Sequence, residues 1–110
     1  MIKCGIDIVS NRRIESKFGD SVFLEKVFSI PELRDKAKLI SVFALKEAVM
    51  KALGKKVNWK EIEVRYEKSG KPSIILDERL KPERFKGVDG SVSHDGDYTI
   101  GIVIIELEDK

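Results

Sequence analysis

Apolar and polar residues alternate through the first nine positions, Ile2, Cys4, Ile6 and Ile8 against Lys3, Gly5, Asp7 and Val9, the period-two signature of a half-buried strand. On this reading the isoleucine face turns inward, Cys4 is a small buried hydrophobe, and Asp7 points to the other side. Ser10 or Asn11 caps a first helix that opens Arg12-Arg13-Ile14-Glu15 and ends near Gly19 and Asp20. A short helical stretch follows around Val22 to Val27. From Pro31 the period lengthens: Leu33, Ala37, Ile40, Ala44, Ala48 and Ala52, with Val49 and Leu53, form one apolar stripe, and Gly54 ends it, so a single long helix is expected. Trp59, Ile62, Val64 and Tyr66, interleaved with Glu61, Glu63 and Arg65, read as a strand. Gly70-Lys71-Pro72 is a turn feeding Ser73 to Leu76, and Asp95-Gly96-Asp97 separates Ser91–His94 from Tyr98–Leu107 in a terminal hairpin. The class is α+β: one long amphipathic helix and a short N-terminal helix packed on a mainly antiparallel sheet.

At 110 residues one domain spanning 1–110 is expected. The opening MIKCGIDIVS carries no cationic leader before an apolar run, and no segment approaches a membrane span, so a soluble cytoplasmic protein is expected. The single cysteine excludes an intrachain disulfide. Charged residues make up 36% of the chain but the net charge is only +2, which argues neither for nor against nucleic acid. The distribution says more: residues 31–60 hold eight cations against three anions. That segment can receive phosphates, although a solvated basic helix face produces the same count.

Glu47 and Lys51 stand four apart in the expected long helix, on one face about a turn apart. The ordinary reading is a helix ion pair. Phe43, one turn before Glu47, belongs in the core and puts Glu47 at the core boundary, where a carboxylate needs a partner. Asp7 is a second acid in an otherwise apolar element, with Gly5 on its face leaving room for close approach. Two carboxylates from a strand and a helix suit Mg²⁺, which takes oxygen ligands, keeps waters, and commonly uses one or two protein carboxylates beside substrate phosphates. Lys51 would supply positive charge to a phosphoryl group in transit. His94 is the sole histidine, which excludes a histidine metal cluster within one chain, and Ser93 has no partners for nucleophilic catalysis.

Three stretches together resemble the bacterial holo-[acyl-carrier-protein] synthases: Gly5-Ile6-Asp7-Ile8-Val9 with Arg13-Ile14-Glu15; Phe43-Ala44-Leu45-Lys46-Glu47-Ala48 with Lys51-Ala52-Leu53-Gly54; and Ser93-His94 with Tyr98. The second is specific, and the three occur in order at fitting separations. The resemblance implies transfer of 4'-phosphopantetheine from coenzyme A to a serine of an acyl carrier protein, with release of 3',5'-ADP. It implies Asp7 and Glu47 as Mg²⁺ ligands, Lys51 on the pyrophosphate, Lys46, Ser93 and His94 along the coenzyme, and Gly70-Lys71-Pro72 near its adenine end. Glu47, directly or through water, would accept the serine proton. Arg12, Arg13 and Lys17, on or near one side of the first helix, would dock the acidic carrier. The family also implies a homotrimer with sites at protomer boundaries.

The chain departs from that pattern in places. Val42 stands where the family usually has Arg, which leaves the 3'-phosphate to Lys38, Lys55 or Lys56. The segment after Gly54 is shorter than the family's glycine-rich loop, and Thr99 and Gly101 replace residues that are commonly alanine. A metal-dependent nuclease also combines Asp, Glu and Lys, but its second acid and lysine sit two apart on a strand, not four apart on a helix. An RNA-binding module would rest on the basic middle segment alone, without the aromatic platform or glycine-rich clamp such modules use.

Overall fold

The structure is a computed structural model that describes residues 1–109. Strand β1 (Ile2–Ser10) runs into helices α1 (Asn11–Glu15), α2 (Ser21–Val27), α3 (Ile30–Leu33) and α4 (Leu39–Leu53), then β2 (Ile62–Tyr66), β3 (Pro72–Leu76), β4 (Phe85–Asp95) and β5 (Tyr98–Leu107). The strands form two antiparallel sheets, one ordered β1-β5-β4 and the other the pair β2-β3. The expected α+β class is what the chain adopts.

Ser10 caps α1 by accepting from the Arg13 amide, and Asp20 caps α2 by accepting from Val22 and Phe23. The expected long helix from Pro31 is in fact two helices. Ser29 and Glu32 close a capping box around α3, and Asp35 leaves the helical region at φ −116°, ψ 82°. Ala37, placed in the apolar stripe by periodicity, is exposed, and α4 begins only at Leu39. The strand expected from Trp59 starts at Ile62, after a 3₁₀ turn over Trp59–Glu61. Gly54 ends α4 in the left-handed region at φ 75°, where a side chain would be strained.

Eleven of the fifteen residues of α4 are buried, because the helix lies inside the molecule, with one flank on the three-stranded sheet. That flank is built from small residues: Ala48 and Ala52 approach Gly5 of β1, and Ala44 lies against Gly101 of β5. The face of β1 turned to α4 therefore carries Gly5, Asp7 and Val9. This overturns the expected burial of the isoleucines: Ile2, Ile6 and Ile8 are 63%, 56% and 59% exposed, and Cys4 is exposed with them. Large side chains cannot face a helix packed this closely, so the strand turns its small residues inward.

A Cβ at residue 5 would overlap the Ala48 carbonyl oxygen and stand 2.6 Å from the Ala52 nitrogen, both rigid backbone. At Gly19, nothing lies within 4 Å of the same atom. Gly5→Ala is expected to lower unfolding free energy by at least about 1–3 kcal/mol in urea titrations, while Gly19→Ala stays close to the parent. Equal stabilities would show that the helix is free to yield.

Candidate active site

Asp7 and Glu47 face one cavity of about 410 Å³ from opposite layers, Asp7 from the inward face of β1 and Glu47 from α4. Both carboxylates are mostly buried, with side chains 12% and 19% exposed. Arg13 and Lys17 reach the same cavity from the first helix and the turn after it, and Lys26 from α2. Arg12 is exposed but is not part of the lining. The floor is aromatic: Phe43 stacks on Trp59 with ring centres 5.1 Å apart, and Phe23 lies 6.1 Å from Phe43.

The ordinary helix pair between Glu47 and Lys51 is not what forms. Lys51 crosses to β1, where its ammonium donates to Asp7 at 3.0 Å, and Lys56 approaches Glu47 at 4.0 Å. Lys51, Lys55 and Lys56 also line a recess of about 370 Å³ that shares Glu47 with the main cavity. Two hard oxygen donors with flexible lysines around them are a donor set that fits Mg²⁺ in the presence of phosphate. Among the described residues no group of three or more His, Cys, Asp or Glu is placed to hold a metal. An ion at this site would therefore depend on solvent and substrate oxygens for the rest of its shell.

A second cleft, of about 590 Å³, contains Gly70, Lys71, Pro72 and His94 together with Lys38, Ser41 and Tyr66. Lys71 donates to Asp89 at 2.7 Å and to the Gly90 carbonyl at 3.1 Å; its hydrogen bond, joined by one from the Gly90 amide, holds the Asp89 carboxyl below the usual carboxylate range. The Lys38 ammonium sits 4.7 Å over the Tyr66 ring. Burial raises the Tyr66 phenol above its usual pKa, opposed by the neighbouring Ser41 hydroxyl and reinforced by the charge of Asp35. Among the described residues no partner meets hydrogen-bond geometry with that phenol.

Two residues expected along the coenzyme lie elsewhere. Lys46 is fully buried, donating to Glu32 at 2.8 Å and to the Val27 carbonyl at 2.7 Å, so its ammonium is engaged inside the protein. Burial pulls its pKa below the usual lysine value, although Glu32 opposes the shift. Ser93 and His94 are both exposed on β4, but only His94 lines the cleft. Sequence reasoning missed Ser41, Tyr66, Phe23, Lys26 and Trp59 as cavity residues, and reached Lys38 only as one of three substitutes for an arginine. A signal existed for Lys38 and Ser41, two polar residues one turn apart at the entry of an apolar helix. The aromatic residues carried none, because a core position predicts the same side chains.

The two cavities share no lining residue. Asp7 pairs across to Gly101, and Gly101 to Val92, so one register line joins them, and Ala44 of α4 rests on its middle. Within one chain α4 thus stands between the carboxylates and the cleft of His94.

A strand acid and a helix acid thus share one cavity, with a lysine-lined recess beside it. The family model of the 4'-phosphopantetheinyl transferase superfamily matches residues 3–103, and the chain belongs to that superfamily. It is 38% identical to the holo-[acyl-carrier-protein] synthase of Chlorobium chlorochromatii, over 96% of this chain and 100% of that one. The Helicobacter pylori holo-[acyl-carrier-protein] synthase in complex with coenzyme A is similar in structure at a TM-score of 0.82 and 33% identity, with 96% and 100% of the two chains covered. The Bacillus anthracis enzyme in complex with coenzyme A (3',5'-ADP) has a TM-score of 0.77 and 28% identity, over 96% of each chain.

Proposed function

We propose that this chain is a holo-[acyl-carrier-protein] synthase, moving 4'-phosphopantetheine from coenzyme A to a serine of an apo acyl carrier protein, with residues 1–110 as one catalytic unit. The observation that carries this is the meeting of Asp7 and Glu47 in one cavity, with the Lys51 ammonium on Asp7. Full-length similarity to synthases of that name supports it. Among the described residues no helix is long and apolar enough to cross a membrane.

The carrier serine oxygen attacks the β-phosphorus of coenzyme A, a new P–O bond forms, and the bond from that phosphorus to the bridging oxygen of the pyrophosphate breaks. 3',5'-ADP leaves, and Glu47 takes the serine proton directly or through water. Lys51 turns from Asp7 to the pyrophosphate and stabilises charge on the departing oxygen. Asp7 and Glu47 would hold Mg²⁺, which when bound draws negative charge from the phosphates. The nucleotide end occupies the cleft of Gly70, Lys71, Pro72 and His94. Val42 is buried at 2% exposure and offers no charge there, and of the three candidate lysines only Lys38 lines this cleft. Lys38 is therefore assigned to the 3'-phosphate.

Because α4 separates the two cavities within a chain, a coenzyme spanning both is best accommodated between chains. The exposed face of β1 and β5, with Ile2, Ile6, Ile8, Ile104 and Tyr98 all more than 40% exposed, is the surface for that association. We assign it to a closed homotrimer, a cytoplasmic enzyme of fatty acid biosynthesis.

Incubation with coenzyme A, Mg²⁺ and apo acyl carrier protein should add one phosphopantetheine to the carrier, read by mass spectrometry. Asp7→Asn and Glu47→Gln should remain folded by circular dichroism and lose kcat by orders of magnitude, and the double variant should be little worse than either. Near-parental rates in folded Glu47→Gln would refute the site. In the same assay Arg13→Glu should raise KM for the carrier and its salt dependence while KM for coenzyme A stays constant; equal loss for both substrates would remove the first helix from docking. By light scattering the parent should be trimeric, and Ile6→Lys should yield inactive monomers, whereas a fully active monomer would overturn the shared site.

A further inference from the structure

Thr99 is 1% exposed and pairs directly across the sheet with His94. Its hydroxyl donates to Asn11 Oδ1 at 2.7 Å. With its one proton committed there, Thr99 Oγ1 meets His94 Nδ1, 2.8 Å away, as the acceptor. The other ring nitrogen, Nε2, lies 3.4 Å from the Ser41 hydroxyl in the second cleft. Asn11 is the first residue of α1, so three side chains in series run from the start of that helix to the cleft.

We propose that Thr99 is a positioning residue for coenzyme recognition: its buried hydroxyl, oriented by Asn11, keeps the proton of His94 on Nδ1 and aims Nε2 into the cleft to meet a phosphate oxygen of the nucleotide. This rests on reading the cleft as the seat of the nucleotide end of coenzyme A. An ionised phosphate oxygen accepts hydrogen bonds and needs an N–H opposite it. When Nδ1 is already the donor to Thr99, the ring meets that need by gaining a proton at Nε2, with no flip and no broken bond. Without the hydroxyl, either nitrogen can carry the proton of the neutral ring and the imidazole is free to turn. The ring then has to be ordered when the ligand arrives, which weakens binding.

His94 is the only histidine of the chain, so its ring nitrogens give unambiguous nitrogen-15 signals. The experiment compares the full-length parent with Thr99→Val, which keeps shape and removes the hydroxyl, and Thr99→Ser, which keeps the hydroxyl and removes the methyl. The parent and Thr99→Ser should show the neutral ring protonated at Nδ1, and Thr99→Val a mixture of tautomers. Calorimetric affinity for coenzyme A should fall roughly tenfold in Thr99→Val and recover in Thr99→Ser, with KM for the carrier unchanged in both. A Thr99→Val protein with parental tautomer and parental coenzyme affinity overturns the proposal alone. A parent that binds no coenzyme A overturns the reading of the cleft, and the proposal with it.

Discussion

The closeness of α4 to β1 and β5 is the constraint on which the site depends. Gly5 and Gly101 let the helix backbone settle onto the strands, with Ala44, Ala48 and Ala52 at the contacts. Asp7 lies two residues beyond Gly5 on the same strand face, and Glu47 immediately precedes Ala48. A helix lifted by one methyl layer would carry Glu47 away from Asp7 without changing either residue. The site is thus built by what is missing from the interface as much as by its two acids, and packing density transmits any misfit there directly into their separation.

The other flank of α4 is held by charge. Glu32 accepts from the Ser29 amide at 2.8 Å, the Val64 amide at 2.8 Å and the Lys46 ammonium at 2.8 Å, and Lys46 also reaches the Val27 carbonyl. Both side chains are fully buried, so the attraction must offset a large desolvation cost, and the backbone hydrogen bonds help it do so. Directional bonds to α2, α3 and β2 resist rotation of α4 about its axis in a way that apolar contacts do not. Lys46 is adjacent to Glu47, so this clamp also fixes where Glu47 aims. Its ammonium is engaged within the protein, and through Glu47 it belongs to the geometry of the site.

Much of this was legible in the sequence because local rules and global packing agreed. Ser10, Gly54 and the Asp95-Gly96-Asp97 turn lie where their backbone chemistry predicts, and Asp7, Glu47 and Lys51 do converge. The failures share one cause, that neighbours distant in sequence decide direction. Alternation in β1 is real, but which face is inward depends on α4, and its closeness demanded the glycine face over the isoleucine face. The stripe from Leu33 to Ala37 has helical spacing, yet Glu32 is drawn toward Lys46 and Val64 and the helix breaks behind it. Lys46 looked available for the coenzyme because its buried partner lies fourteen residues earlier, in another helix. Glu47 and Lys51 have ion-pair spacing, and a strand carboxylate 44 residues away from Lys51 takes the lysine instead.

The electrostatics of the cavity follow from that exchange. Two carboxylates facing one space would repel a pyrophosphate, and each is matched by a lysine whose side chain is largely exposed, Lys51 at 55% and Lys56 at 84%. Such pairs are weak because water screens them and long side chains lose freedom in forming them. Weakness is useful here: a lysine loosely held on a carboxylate can turn to a phosphate at little cost, whereas the deeply buried Lys46 cannot. The same residue type thus serves two purposes in consecutive turns of one helix, and burial alone separates them. Lys46 is locked between α2 and α3, and Lys51 keeps a screened pair and the room to turn.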